Sequence, residues 1–209
     1  MGRNIPVNLQ ASIDKVKAAD VIVFAGGISP SLEGEEMPVN AEGFKGGDRT
    51  TIELPAIQRR LISELKKLGK PIIFVNYSGS AVGLEPESKI CDAILQAWYP
   101  GQAGGTAVAD VLFGDYNPSG KLPVTFYKHT DQLPDFQDYS MKGRTYRYMT
   151  ESPLYSFGHG LSYTNFTYGP ATLSQQTISQ GKEVTLTIPV QNTGNYDGEE
   201  VVQVYLSCP

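Results

Sequence analysis

The sequence predicts an α/β protein: a mostly parallel sheet with helices on both faces, followed by the beginning of a β-sandwich. Two observations carry this expectation. Short continuous apolar runs of buried-strand type alternate with segments of helical spacing over roughly the first 115 residues. After Tyr168 the pattern changes to near period-2 alternation punctuated by turn residues.

Leu9, Ile13 and Val16 fall at helical spacing, and Val21 to Ala25 is the first buried strand. Leu54, Ile57, Leu61, Ile62, Leu65 and Leu68 line one face of the strongest helix, with Pro55 suited to its first turn and Gly69 to its stop. Ile72 to Asn76 is the second strand and Ala93 to Trp98 the third. A helix from Thr106 to Phe113 then stops at Gly114. Arg144, Tyr146 and Arg147 fall on a strand or loop beyond these elements. From Ala171 onward Leu173, Val184, Leu186, Ile188, Val190, Val201, Val202 and Val204 alternate, with turns at Asn192-Thr-Gly-Asn195 and Asp197-Gly198. A closed immunoglobulin-like sandwich needs about 7 strands and about 100 residues, so this part reads as a domain cut short at Pro209.

The long connection from Gly26 to Thr50 is the expected place of chemistry. Strand-to-helix loops usually take roughly 2 to 6 residues, and one several times longer is either functional or disordered. It carries Glu33, Glu35 and Glu36 close together. Crowded like charges raise at least one carboxyl pKa, toward the range where an acid can donate a proton near neutrality. Asn76-Tyr-Ser-Gly-Ser80 and Tyr99-Pro-Gly-Gln-Ala-Gly-Gly105 leave the next two strands, and all three turns are expected on one rim beyond the carboxyl ends of the sheet.

Composition removes several functions. The 209 residues are 40% hydrophobic and 19% charged with 12 tyrosines, which is the make-up of a folded enzyme or binding module. A formal net charge of -5 offers no field for nucleic acid, and no run of about 18 apolar residues exists to span a bilayer. Met1-Gly-Arg-Asn-Ile-Pro-Val7 lacks the apolar stretch of a signal peptide, which leaves the compartment open. Cys91 and Cys208 have no metal-ligand spacing and read as unpaired small hydrophobes. Gly101-Gln-Ala-Gly-Gly105 matches neither a Walker loop nor a dinucleotide fingerprint, and the acidic loop is hostile to phosphate. No cofactor and no metal are expected.

Six phrases, in order, resemble the carboxy-terminal half of glycoside hydrolase family 3, of the β-glucosidase and β-xylosidase type. They are Gly-Gly with Leu32-Glu-Gly-Glu-Glu36, then Gly47-Asp-Arg49 with Leu54-Pro and Gln58, and Gln96-Ala-Trp-Tyr-Pro-Gly-Gln-Ala-Gly-Gly105. Gly120-Lys-Leu-Pro-Val-Thr-Phe126, Gly143-Arg-Thr-Tyr-Arg147 and Tyr155-Ser-Phe-Gly-His-Gly-Leu-Ser-Tyr163 complete the set. The resemblance implies a three-layer α/β sandwich over residues 1–168 and an incomplete fibronectin type III-like segment over 169–209. It also implies an amino-terminal (β/α)8 barrel, absent from this sequence, that carries the nucleophilic Asp and most of the sugar-binding residues. Retaining glycosidases need two carboxyl groups about 5 to 5.5 Å apart, of which this chain offers one.

Aligned on Glu-Gly-Glu, the family's general acid/base falls on Glu35, with Glu33 the alternative and Glu36 after it. Asp48 and Arg49 either brace the loop against the following helix or contact a sugar hydroxyl; Trp98 and Tyr99 either stack on a sugar ring or pack the rim. Arg144, Tyr146 and Arg147 are expected to pack against the barrel. The resulting expectation is part of a retaining exo-β-glycosidase acting on an oligosaccharide or an aryl or alkyl β-glycoside, inactive alone, from a periplasmic or secreted parent. The other reading is a non-catalytic carbohydrate-binding or interaction module derived from the same fold.

Overall fold

The computed structural model describes residues 8–34 and 37–207, in two compact units: Met1–Gly104 with Pro123–Phe157, and Gly105–Leu122 with Gly158–Pro209.

The first unit is built on a parallel sheet. Helix α1 (Leu9–Val16) starts where the Asn8 side chain accepts from Ala11 N at 3.1 Å, and it leads into strand β1 (Ile22–Gly27). A short helix α2 (Pro30–Glu33) and a two-residue hairpin, β2 (Phe44–Lys45) and β3 (Asp48–Arg49), occupy the connection that follows. Helix α3 (Ala56–Lys66), strand β4 (Ile72–Tyr77), helix α4 (Glu85–Ile90) and strand β5 (Ala93–Gln96) complete the αβ alternation. The strand order is β1-β4-β5, all parallel, with Ile22 opposite Ile72 and Ile73 opposite Ala93. β4, the central strand, is the most thoroughly buried, as its unbroken Ile-Ile-Phe-Val run requires.

Two apolar clusters hold this sheet. Ile28, Leu54, Ile62, Phe74, Val82 and Leu84 form one; Ile13, Ile22, Leu65 and Ile72 form the other. Ile62 and Leu65, from the predicted apolar stripe of α3, serve one cluster each. Gly69, with φ +68°, ends the turn after α3 in the left-handed region that glycine enters without strain.

Three expectations are corrected. The third strand stops at Gln96 rather than Trp98, because Trp98 leaves extended geometry with φ +56°. Tyr146 and Arg147, just after an extended Arg144, belong to a short helix α6 (Thr145–Tyr148), where a strand or loop was predicted. The apolar moment that would betray it is missing from four residues. Helix α4 has no apolar periodicity and was not expected; its signals are Pro86 in the first turn with Glu85 and Glu87 beside it.

In the second unit, helix α5 (Gly104–Phe113) is followed by antiparallel pairs of short strands. β6 (Phe166–Tyr168) pairs with β9 (Val190–Asn192), and β7 (Thr172–Leu173) with β8 (Leu186–Thr187). The predicted turn at residue 192 is tied by the Asn192 side chain, which accepts from Gly194 N at 3.0 Å and donates to Tyr196 O at 2.8 Å. Leu173, Val190 and Val204, apolar and alternating, remain 40 to 59% exposed. Cys208 lies outside the described residues.

Candidate active site

The three loops leaving β1, β4 and β5 are anchored before they diverge. At the end of β1, an edge strand, Gln58 of α3 pairs with the backbone of Gly27 as a neighbouring strand would: its Nε2 donates to Gly27 O at 2.6 Å and its Oε1 accepts from Gly27 N at 2.7 Å. At the ends of β4 and β5, Asn76 Nδ2 donates to Gln96 Oε1 at 2.6 Å and Gln96 Nε2 donates to Ser78 Oγ at 3.0 Å, with Asn76 and Ser78 fully buried. Buried polar groups linked in this way rigidify the backbone that carries them.

Above this floor the loops meet through side chains. Tyr99, from the loop after β5, donates its hydroxyl to Glu33 Oε2 at 2.6 Å; Ser80, from the loop after β4, donates to Glu33 Oε1 at 3.3 Å. Arg49, from the hairpin in the loop after β1, donates through Nη1 to Ser80 Oγ at 3.0 Å and Ala81 O at 3.1 Å, and through Nε to Thr51 O at 3.2 Å. Glu33, Arg49, Ser80 and Tyr99 therefore join all three loops on one rim.

The sequence explains how each group arrives. Ser29 caps α2 by accepting from Leu32 N at 3.2 Å, Pro30 follows it, and Gly34 closes the turn with φ +53° and its N–H on Pro30 O. Glu33 is thus delivered from the end of one helical turn. Gly46 and Gly47, both at positive φ, make the tight hairpin that returns Arg49 toward the sheet. Gly79 leaves room for the meeting: a Cβ there would lie 2.7 Å from the Tyr99 ring and 3.2 Å from Glu33 Oε2.

The electrostatics favour a permanent network. Burial, reinforced by the hydrogen bond to Glu33, pushes the Tyr99 hydroxyl up to about 12, so it stays a donor. Burial lowers the Arg49 pKa, against the pull of the Glu33 and Glu53 carboxylates, yet a guanidinium remains charged. Nη2 of Arg49 is buried and has no hydrogen-bond partner among the described residues.

Of the residues singled out from sequence, Glu33, Arg49 and Tyr99 are brought together. Asp48 is exposed and stands opposite Lys45 in the hairpin. Trp98 is half-buried, its ring edge-to-face with buried Phe126 at 6.1 Å. Glu35 and Glu36 lie outside the described residues. Ser80 and Gln58 were not assigned site roles from sequence, since a loop serine and a helix glutamine are common residues. No group of three or more His, Cys, Asp or Glu side chains among the described residues could hold a metal ion, and no helix there is long and apolar enough to cross a membrane.

Comparison with known proteins gives one consistent result. Residues 6–163 match the model of the glycosyl hydrolase family 3 C-terminal domain. A xylan 1,4-β-xylosidase from Xylanibacter ruminicola is 58% identical over 206 residues, covering 99% of this chain and 24% of that protein. A periplasmic β-glucosidase from Salmonella typhimurium is 42% identical, covering 96% of this chain and 27% of that protein. Among solved structures, a β-glucosidase from Erythrobacter marinus superposes with a TM-score of 0.73 at 37% identity, over 89% of this chain and 24% of that one. The chain thus spans about a quarter of the length of the relatives it matches.

Proposed function

Since the chain belongs to glycosyl hydrolase family 3 and carries its C-terminal domain, we propose that it supplies the general acid/base, Glu35, to a retaining exo-β-glycosidase. The nucleophilic Asp and most of the sugar site belong, in this reading, to a (β/α)8 barrel on the remainder of the protein, and the chain alone is inactive. The substrates are terminal β-linked glucose or xylose, and β-xylosides are the first choice for assay because the 58% identical relative is named a xylosidase. Residues 1–168 act as the α/β sandwich and 169–209 as the start of a fibronectin type III-like domain.

The observation that carries this reading is the seating of the acidic loop on the rim beyond the carboxyl ends of a parallel sheet, where such folds bind ligands. Glu33 is engaged at both oxygens by hydroxyl donors from two other loops, which holds its side chain in place, and this supports Glu35 for the chemistry. In the first step the barrel's Asp attacks the anomeric carbon while Glu35 protonates the departing oxygen. In the second, Glu35 takes a proton from the water that cleaves the glycosyl-enzyme. Arg49, Asp48 and Trp98 are assigned sugar contacts at the edge of the same site.

The test is hydrolysis of aryl β-xylosides and β-glucosides by the 209-residue chain, with and without a separately produced barrel half. Turnover only on mixing, abolished by E35Q for substrates with poor leaving groups and retained in large part for activated ones, is the expected result. Turnover by the chain alone, or equal loss on both substrate types, overturns the proposal.

A further inference from the structure

We infer that Glu33 is a positioning residue: with Tyr99, Ser80 and Arg49 it forms a latch that fixes the loop on both sides of residues 35 and 36. This rests on the reading that Glu35 is the acid/base.

The latch has one carboxylate at its centre and donors from two other loops, the Tyr99 hydroxyl at 2.6 Å and the Ser80 hydroxyl at 3.3 Å. Arg49 completes it by holding Ser80 from the far side of the same long connection. The flanks of residues 35 and 36 are tied to it directly. Glu33 N donates to Ser29 O and Gly34 N to Pro30 O, while Met37 N donates to Gly34 O at 2.8 Å. At Gly34 a Cβ would collide with the Val39 side chain, so the chain is packed where it leaves the latch.

Two features point to a built junction rather than a chance contact. Gly79 passes so close beneath Tyr99 and Glu33 that no side chain fits there. Trp98, immediately before Tyr99, adopts φ +56°, a conformation costly for a residue with a Cβ that persists only where the surroundings enforce it. That turn carries the chain out of β5 so that Tyr99 reaches Glu33 across 66 residues of sequence. A small misplacement of a reacting group costs a large factor in rate, and such a latch would prevent it.

The test uses a full-length enzyme carrying this segment, with aryl β-xylosides of differing leaving-group acidity. E33A and Y99F are expected to lower kcat for poor leaving groups roughly 10- to 100-fold with KM little changed. E33Q should recover most of the loss, because its amide oxygen still accepts from Tyr99, and the basic limb of the pH–rate profile should remain in all three. If E33Q is as impaired as E33A and has lost the basic limb, Glu33 is itself the acid and the inference fails. If Y99F behaves as the unsubstituted enzyme, the latch has no catalytic consequence and the inference again fails. A fully active E35Q instead sinks the assignment of Glu35, whatever the position-33 variants do. As a second readout, glutamyl endopeptidase should cleave the 33–36 segment several-fold faster in Y99F than in the unsubstituted chain at unchanged unfolding midpoint; equal cleavage counts against the latch.

Discussion

Arg59 and Glu87 form a buried ion pair between α3 and α4: Arg59 Nε donates to Glu87 Oε1 at 3.0 Å, and the Glu87 carboxylate is 1% exposed. Arg59 also donates from Nη2 to Gly83 O, so one guanidinium fixes both the start of α4 and the turn before it. Removing only the cation leaves a buried carboxylate without compensation. R59M should therefore destabilise the protein by about 3 to 5 kcal/mol in urea unfolding, and R59M/E87M should recover a large part of that loss. A double variant no better than R59M alone would mean the cost lies in Gly83 O and not in the charge.

Acid sensitivity divides between two glutamates with opposite shifts. Burial raises the Glu87 carboxyl despite Arg59, so its contribution is full below the ordinary glutamate value of 4.5 and is lost as pH rises through the raised value. For Glu53, burial also raises the pKa, but donation from Thr130 N at 2.7 Å and Thr130 Oγ1 at 2.6 Å outweighs it and the net shift is downward. Its contribution is present above 4.5 and lost as pH falls through the lowered value. Urea midpoints measured across this range should show E53Q flattening the acid-side loss and E87Q removing the decline above 4.5.

Gly79 offers a steric test of the rim. A Cβ 2.7 Å from the Tyr99 ring forces the ring to move or the loop to shift, and overpacking of this kind costs about 1 to 3 kcal/mol. G79A should lose stability by that amount and shift the Tyr99 titration, read by ultraviolet absorbance, downward from about 12 as its bond to Glu33 is broken. G79A in a Y99A background, where the obstruction is gone, should cost much less.

The alternation of strands and amphipathic helices was legible because β4 buries a continuous apolar run and α3 a one-sided one, whereas β1, expected to be buried, is an edge strand that leaves Val23 52% exposed. The rim was legible only as a place. Which side chains meet there depends on contacts separated by 47 and 66 residues, for which a single sequence has no local signal. Two pieces were readable and passed unread inside the long loop. Ser29-Pro30 before Gly34 is a cap, a first-turn proline and a left-handed stop, and Gly46-Gly47 between Phe44-Lys45 and Asp48-Arg49 is a two-residue hairpin turn. Helix α4 left only its first-turn Pro86 and acids and no apolar stripe, since its one fully buried residue is Glu87, held by its ion pair.

Trp98 supplies the last prediction. Its φ of +56° costs an L-residue about 1 to 2 kcal/mol, which glycine avoids, whereas glycine elsewhere loses about 0.5 to 1 kcal/mol to alanine through chain entropy. Both W98A and W98G lose the edge-to-face contact with Phe126, so that cost cancels between them. The usual order of alanine over glycine should then invert, with W98G more stable than W98A by about 0.5 to 1 kcal/mol in urea unfolding. If alanine proves the more stable, the left-handed turn does not survive loss of the indole, and Phe126 packing rather than the Tyr99 bond to Glu33 is what holds it.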